Sequence, residues 1–152
     1  MKLHVLFLLC VTFSCAVCRD IMREDSSYWS SIYVESSSEG PFMIAGIDPN
    51  GKYIQLENLS GEREYLNGWT ITQKTDNNPG VNYTFDFCSI PPYRKRKIVA
   101  NKWSYNASAT DFVATDVYAW ETGKEVKTYL YDRNHTLKAE YIVGKASSTN
   151  LH

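Results

Sequence analysis

An all-β sandwich of immunoglobulin type is predicted by three features of the chain. Short segments with alternating polar and apolar residues recur, turn-forming clusters separate them, and no stretch carries helical periodicity of useful length. Residues 42–47 (FMIAGI) read as the first strand, and DPNG at 48–51 as a tight turn, because Pro and Asn-Gly sit where turn geometry wants them. Residues 52–58 (KYIQLEN) alternate, with Ile54 and Leu56 on one face and Gln55 and Glu57 on the other. Residues 69–74 (WTITQK) place Trp69 with Ile71 and oppose them with Thr70 and Thr72. After a second turn at 75–80, residues 81–87 (VNYTFDF) put Val81, Tyr83, Phe85 and Phe87 on one face. Residues 97–103 follow a Pro-Pro turn, 111–117 are a strand or an irregular segment, and 125–132 with 136–143 form a hairpin over Arg133, Asn134 and His135. This makes about seven to nine strands, the number such sandwiches use.

The 152 residues are 43% hydrophobic and 14% aromatic, which suits one domain with a compact core and excludes global disorder. The formal net charge of -1 does not imply a nucleic-acid partner, which usually needs a basic surface; any such partner would have to use a local patch. Residues 1–18 have the form of a secretory signal peptide: Lys2 and His4 at the start, an apolar run to Val17, small residues, then Arg19-Asp20. Cleavage is expected after Ala16 or after Cys18. The run spans roughly 15 residues, short of the about 20 that a membrane-spanning helix requires. After residue 20 no stretch is apolar for long enough to span a bilayer. Residues 19–40, with seven serines, read as a flexible lead-in, although Tyr28, Trp29, Ile32, Tyr33 and Val34 offer an edge strand as the alternative. The domain itself is expected over 41–143, with a disordered tail over 144–152.

Four asparagines, Asn58, Asn82, Asn106 and Asn134, stand in Asn-x-Ser/Thr sequons. Behind a leader, four sequons imply N-glycosylation. On the strand map all of them fall at polar faces, strand ends or turns. Cys10, Cys15 and Cys18 lie in or beside the leader, so this is no disulfide scaffold. Three states of Cys88 are open: a buried inert thiol, a disulfide with Cys18, or an intermolecular bond that makes a dimer.

The stretch GKYIQLEN (51–58), followed by Ser60, Leu66 and GWTI (68–71), resembles the start of the lamin tail domain, the immunoglobulin-like module at the end of nuclear lamins. The residues that carry the resemblance are Gly51, Leu56, Asn58, Gly68, Trp69 and Ile71. Later blocks at 83–92, 110–123 and 130–141 match in order, so the resemblance covers residues 42–143. It implies the sandwich fold, with Trp69 delivering a large apolar area to the inter-sheet core. Trp120 is placed near a surface loop, either packed in the core or at its edge, or making contacts. The chain has no heptad run of the kind that assembles a coiled coil. It ends TNLH, without the Cys of a prenylation box.

Catalytic chemistry finds little purchase. Past the leader the only histidines are His135, in a predicted turn, and His152 at the terminus. There is no HExxH, no paired CxxC and no Gly-rich phosphate loop, so no enzyme, cofactor or metal is expected. The run Arg94, Lys95, Arg96 and Lys97 is the sharpest charge feature, read either as a solvated turn entering a strand or as a patch for acidic glycans, with Tyr93 and Lys102 nearby. The expected function is a secreted, glycosylated, non-catalytic binding or structural module with an unnamed protein partner. The alternatives are an intracellular nuclear or cytoskeletal module binding protein or DNA and, more remotely, a small secreted enzyme.

Overall fold

The computed structural model describes residues 32–76 and 78–146. Within them the chain forms β1 (Ile32–Ser38), β2 (Phe42–Ile47), β3 (Tyr53–Asn58), β4 (Glu64–Tyr65), β5 (Thr70–Thr75), β6 (Asn78–Thr84), β7 (Ser89–Ile90), β8 (Lys95–Ala100), β9 (Phe112–Ala114), β10 (Glu125–Tyr131) and β11 (Leu137–Lys145). One sheet has the order β1-β11-β10-β5-β6, the other β2-β3-β8-β9, and β4 with β7 makes a small ribbon. All pairings are antiparallel except β8 with β9. The immunoglobulin-like sandwich expected from the alternation is therefore the fold.

Strand periodicity of two explains the core. Along β3 the alternation sends Ile54, Leu56 and Asn58 inward, and along β10 it does the same for Val126, Thr128 and Leu130. Ile54, Leu56 and Leu130 meet Phe42, Ile44, Ile71, Phe85, Ile90 and Ile98 in one buried cluster. The two inward polar residues of the first sheet satisfy each other. Gln73 and Thr128 are directly opposed on β5 and β10; Gln73 Nε2 donates to Thr128 Oγ1 at 3.1 Å, and Gln73 Oε1 accepts from the Glu121 backbone N–H at 2.6 Å.

Two glycines of the resemblance are required by geometry. Gly51 has φ +71 and Gly68 has φ +76, in the left-handed region that favours glycine. A Cβ on Gly51 would also collide with the Trp120 carbonyl, because the Trp120 N–H donates to the Gly51 carbonyl at 3.0 Å. Gly68 ends the turn before β5: its N–H donates to the Phe85 carbonyl at 2.8 Å and Trp69 N–H reaches the Leu66 carbonyl at 2.9 Å. Trp69 is half-buried and packs edge-on against Phe42, with ring centroids 5.2 Å apart.

Several expectations are corrected. The lead-in reading of 19–40 gives way over 32–38, where β1 pairs along its whole length with β11; its backbone ladder supplies the ordering that its serines do not. Residues 144–145 belong to β11 rather than to a tail. Residues 1–31, with the expected leader and Cys18, and the terminal 147–152 lie outside the described residues. Residues 101–103 are not strand, since Asn101–Asn106 coil into a 3₁₀ helix. Phe87 does not share the face of Phe85. The β5–β6 ladder ends at Thr84, Phe85 still points inward, and the chain then bends away and leaves Phe87 95% exposed. Trp120 takes the packed alternative and lies in the core, 3% exposed, with its indole N–H donating to the Ile98 carbonyl at 2.9 Å.

Candidate functional site

The sequon asparagines divide into one buried and three exposed residues. Asn82 lies on the outer face of β6, where Thr72 Oγ1 donates to its Oδ1 at 2.7 Å. Asn106 ends the 3₁₀ helix, and Asn134 sits at the tip of the β10–β11 hairpin with its N–H on Asp132 Oδ1 at 2.8 Å. Asn58 is 0% exposed. Its Nδ2 lies 2.7 Å from the Glu62 carbonyl, 2.9 Å from that of Ile90 and 3.2 Å from that of Pro91, while its Oδ1 accepts from the Ser60 N–H at 2.9 Å. The expectation that all four sequons leave room for a glycan is therefore corrected at Asn58. Its amide nitrogen has two protons shared among three carbonyls and no path to solvent. It is a buried tie between the end of β3 and the loop leading to β8.

The basic run does not converge. In β8 the strand alternation sends Lys95 and Lys97 to one face, opposite Glu57 and Gln55, and turns Arg96 toward the side of Leu56. Lys95 Nζ pairs with Glu57 at 3.5 Å, Lys97 Nζ lies 4.4 Å from the centre of the Tyr53 ring, and Arg96 Nη1 donates to the Lys95 carbonyl at 2.9 Å. Arg94 stands exposed before the strand, next to exposed Tyr93. The four charges that look continuous in sequence are split between two directions, and one of them is paired.

Lys102, noted only as a neighbour of that run, belongs to a different cluster. The 3₁₀ helix is held to the loop after β9 by Asn101 N–H on the Val117 carbonyl at 2.8 Å and Lys102 N–H on the Tyr118 carbonyl at 3.0 Å. Ala100 N–H on the Lys52 carbonyl at 2.9 Å brings the start of β3 alongside. Lys52 and Lys102 thereby place their ammonium groups 5.1 and 5.3 Å from the centre of the Trp103 ring, and Lys102 also lies 5.6 Å from that of Tyr118. Sequence reasoning missed this arrangement because residues 52, 102–103 and 118 are distant along the chain.

Cys88 is half-buried and unbonded among the described residues. Burial, with the Asp86 carboxylate adding to it, pushes its thiol pKa up, which keeps it protonated. Tyr83 beside it is pushed up to about 12, first by burial and then by Cys88 and the carboxylates of Asp116 and Asp86. His135 is exposed in the hairpin turn with φ +58 and no catalytic company. Among the described residues no group of three or more His, Cys, Asp or Glu side chains is placed to hold a metal ion, and no helix is long and apolar enough to cross a membrane.

The sequence profile of the Lamin Tail Domain family matches residues 35–145. The chain belongs to that family, whose domain is the immunoglobulin-like sandwich described above. Over 103 residues it is 29% identical to lamin-B3 of Xenopus laevis, a match covering 64% of this chain and 17% of the lamin. It is 32% identical over 111 residues to the 70 kDa neurofilament protein of Doryteuthis pealeii, covering 70% of this chain and 17% of that protein. It is 36% identical over 64 residues to lamin Dm0 of Drosophila melanogaster, covering 42% and 10%. The chain thus corresponds to a small part of the length of each of these relatives.

Proposed function

We propose that the protein is a secreted, N-glycosylated, non-catalytic lamin-tail module that works by binding, its contacts made through loops and sheet edges. The observation that supports this reading is the placement of the sequons: Asn82, Asn106 and Asn134 are exposed on a strand face, at a helix end and at a hairpin tip, behind a leader-like N-terminus. Asn58 carries no glycan in this reading, since its amide is consumed in the core. The raised thiol pKa of Cys88 argues against a fast intermolecular disulfide, because exchange proceeds through the thiolate.

The test is expression of the full chain in animal cells and intact mass of the medium, with and without glycosidase and reductant. The expected product lacks about 16–18 residues, as leader cleavage implies. It carries glycans on Asn82, Asn106 and Asn134 only, and stays monomeric without reductant. A product kept inside the cell, unglycosylated and with an intact N-terminus, overturns the reading. It would favour the second one, an intracellular nuclear or cytoskeletal module, which draws its support from relatives named as lamins and a neurofilament protein.

A further inference from the structure

Two lysines sharing one indole need an explanation. Lys52 and Lys102 come from different segments, yet their ammonium groups lie 5.1 and 5.3 Å from the centre of the same Trp103 ring. They are no farther apart than the sum of those distances, comparable to the Debye length of about 10 Å at moderate ionic strength, so each feels the other. Among the described residues neither is in an ion pair; the paired lysines are Lys95, Lys127 and Lys138. The ring's negative face offsets part of the repulsion, and an anion bridging the two would offset more. Around them stand rings open to solvent: Tyr118 is 70% exposed and Tyr105, 6.4 Å from Trp103, is 74% exposed.

We infer that Lys52, Lys102, Trp103 and Tyr118 form a binding site for a sulfated polysaccharide, with the lysines meeting sulfate groups and the exposed rings packing against the C–H faces of the sugars. This deepens the secreted reading and rests on it for the setting in which such a ligand is met. The chemistry selects the class of ligand. The set contains lysines and no arginine, which suits point-charge contact with sulfates better than the forked recognition of carboxylates in an acidic peptide. The net charge of -1 lacks the strongly basic balance that nucleic-acid binding usually shows, and the two lysines make a short patch rather than a track. The charged face is local, as a short sulfated segment needs. It is also distinct from the basic run, where Glu57 neutralises Lys95 and the remaining charges diverge.

The test is calorimetric titration of the full chain at low salt with a heparin-derived hexasaccharide and with its desulfated form. The sulfated sugar should bind at one site and the desulfated one should not. K52S/K102S should weaken binding roughly tenfold, as loss of two exposed charge contacts would. Tyr118→Ala should weaken it by less, and R94S/K95S should leave it unchanged. Lys102→Glu, a single change on the exposed 3₁₀ helix, serves if the double variant folds poorly, and should weaken binding at least roughly tenfold, because it shifts the site's charge by the same two units. Affinity that survives K52S/K102S or Lys102→Glu, or that is lost in R94S/K95S, overturns the site. Tighter binding of single-stranded DNA or of polyglutamate overturns the choice of ligand. Because binding is measured on purified chain, a protein retained in the cell overturns the secreted reading alone, and a secreted protein that fails these titrations overturns only the site.

Discussion

Asn58 shows how one side chain can look like a modification signal and act as a fastener. Its amide reaches three carbonyls from two separate loops and receives a fourth contact from Ser60 N–H. Removing it strands buried acceptors, each costing about 1–3 kcal/mol. Its two amide protons serve at least two of them at a time, so Asn58→Ala should lower stability by at least about 2 kcal/mol. Asn58→Asp should be at least as harmful, because it turns a carboxylate oxygen toward those carbonyls. Urea denaturation of the two variants checks this; an Asp variant as stable as the parent would remove Asn58 from its structural role. The sequence carried the residue in two patterns at once, the sequon and the family signature, and only burial separates them.

Among the strands, β1 illustrates how composition misleads about order. Its side chains are half-buried or exposed, and three of its seven residues are serines. What holds it is the ladder with β11 together with a contact to the next strand of the same sheet, in which the Tyr33 hydroxyl donates to Glu125 of β10. That contact spans the middle strand because Tyr33 and Glu125 are both registered on Gly144, where there is no Cβ to block the ring. The bond, with Lys127 2.9 Å away, holds the Glu125 carboxyl below the usual range. Gly144→Val should displace Tyr33 and free β1 while β10 and β11 remain paired. Hydrogen exchange should then show residues 32–38 losing protection and residues 125–131 keeping it. Protection unchanged at 32–38 would mean that the ladder alone holds β1.

The pH response belongs to the molecule as a whole. Tyr83 at about 12, and Tyr129, Tyr141 and Cys88 with raised values, are all held neutral, chiefly by burial. A group whose pKa is higher in the folded state contributes stability that is complete below its unfolded value and is lost as pH rises through the folded one. Stability should therefore begin to fall near pH 8.5, the ordinary thiol value, and keep falling from about pH 10, that of tyrosine, to about 12, where Tyr83 ionises in the folded state. Tyr83 should account for about 1–2 kcal/mol, reduced from its full shift because the ring is only partly buried and solvent screens it. On the acid side, Asp132 and Glu125 have lowered values, through the Thr136 N–H and the Tyr33 hydroxyl respectively. Their contributions are present above the ordinary carboxyl range and vanish as pH falls through the lowered values. Both are partly buried carboxyls near the surface, where solvent screening keeps the loss small. Denaturation midpoints across the pH range check the asymmetry, and equal losses in acid and alkali would contradict it.

The sequence by itself determined the sandwich, most of its strands and its family, because strand periodicity and turn chemistry are local. Ile54 with Leu56, DPNG, and Gly68 before Trp69 each state their conformation within a few residues. It also held the division into paired and turn segments around Asn134 and His135. The tertiary structure alone decided which apparent sites are real surfaces. Whether Asn58 faces solvent depends on the carbonyls of residues 62, 90 and 91. Whether residues 94–97 make a patch depends on Glu57 and Tyr53 across the sheet. That Lys52 and Lys102 meet over Trp103 depends on three chain segments joined by backbone hydrogen bonds. Burial and charge pairing are sums over neighbours distant in sequence, and only folding brings those neighbours together.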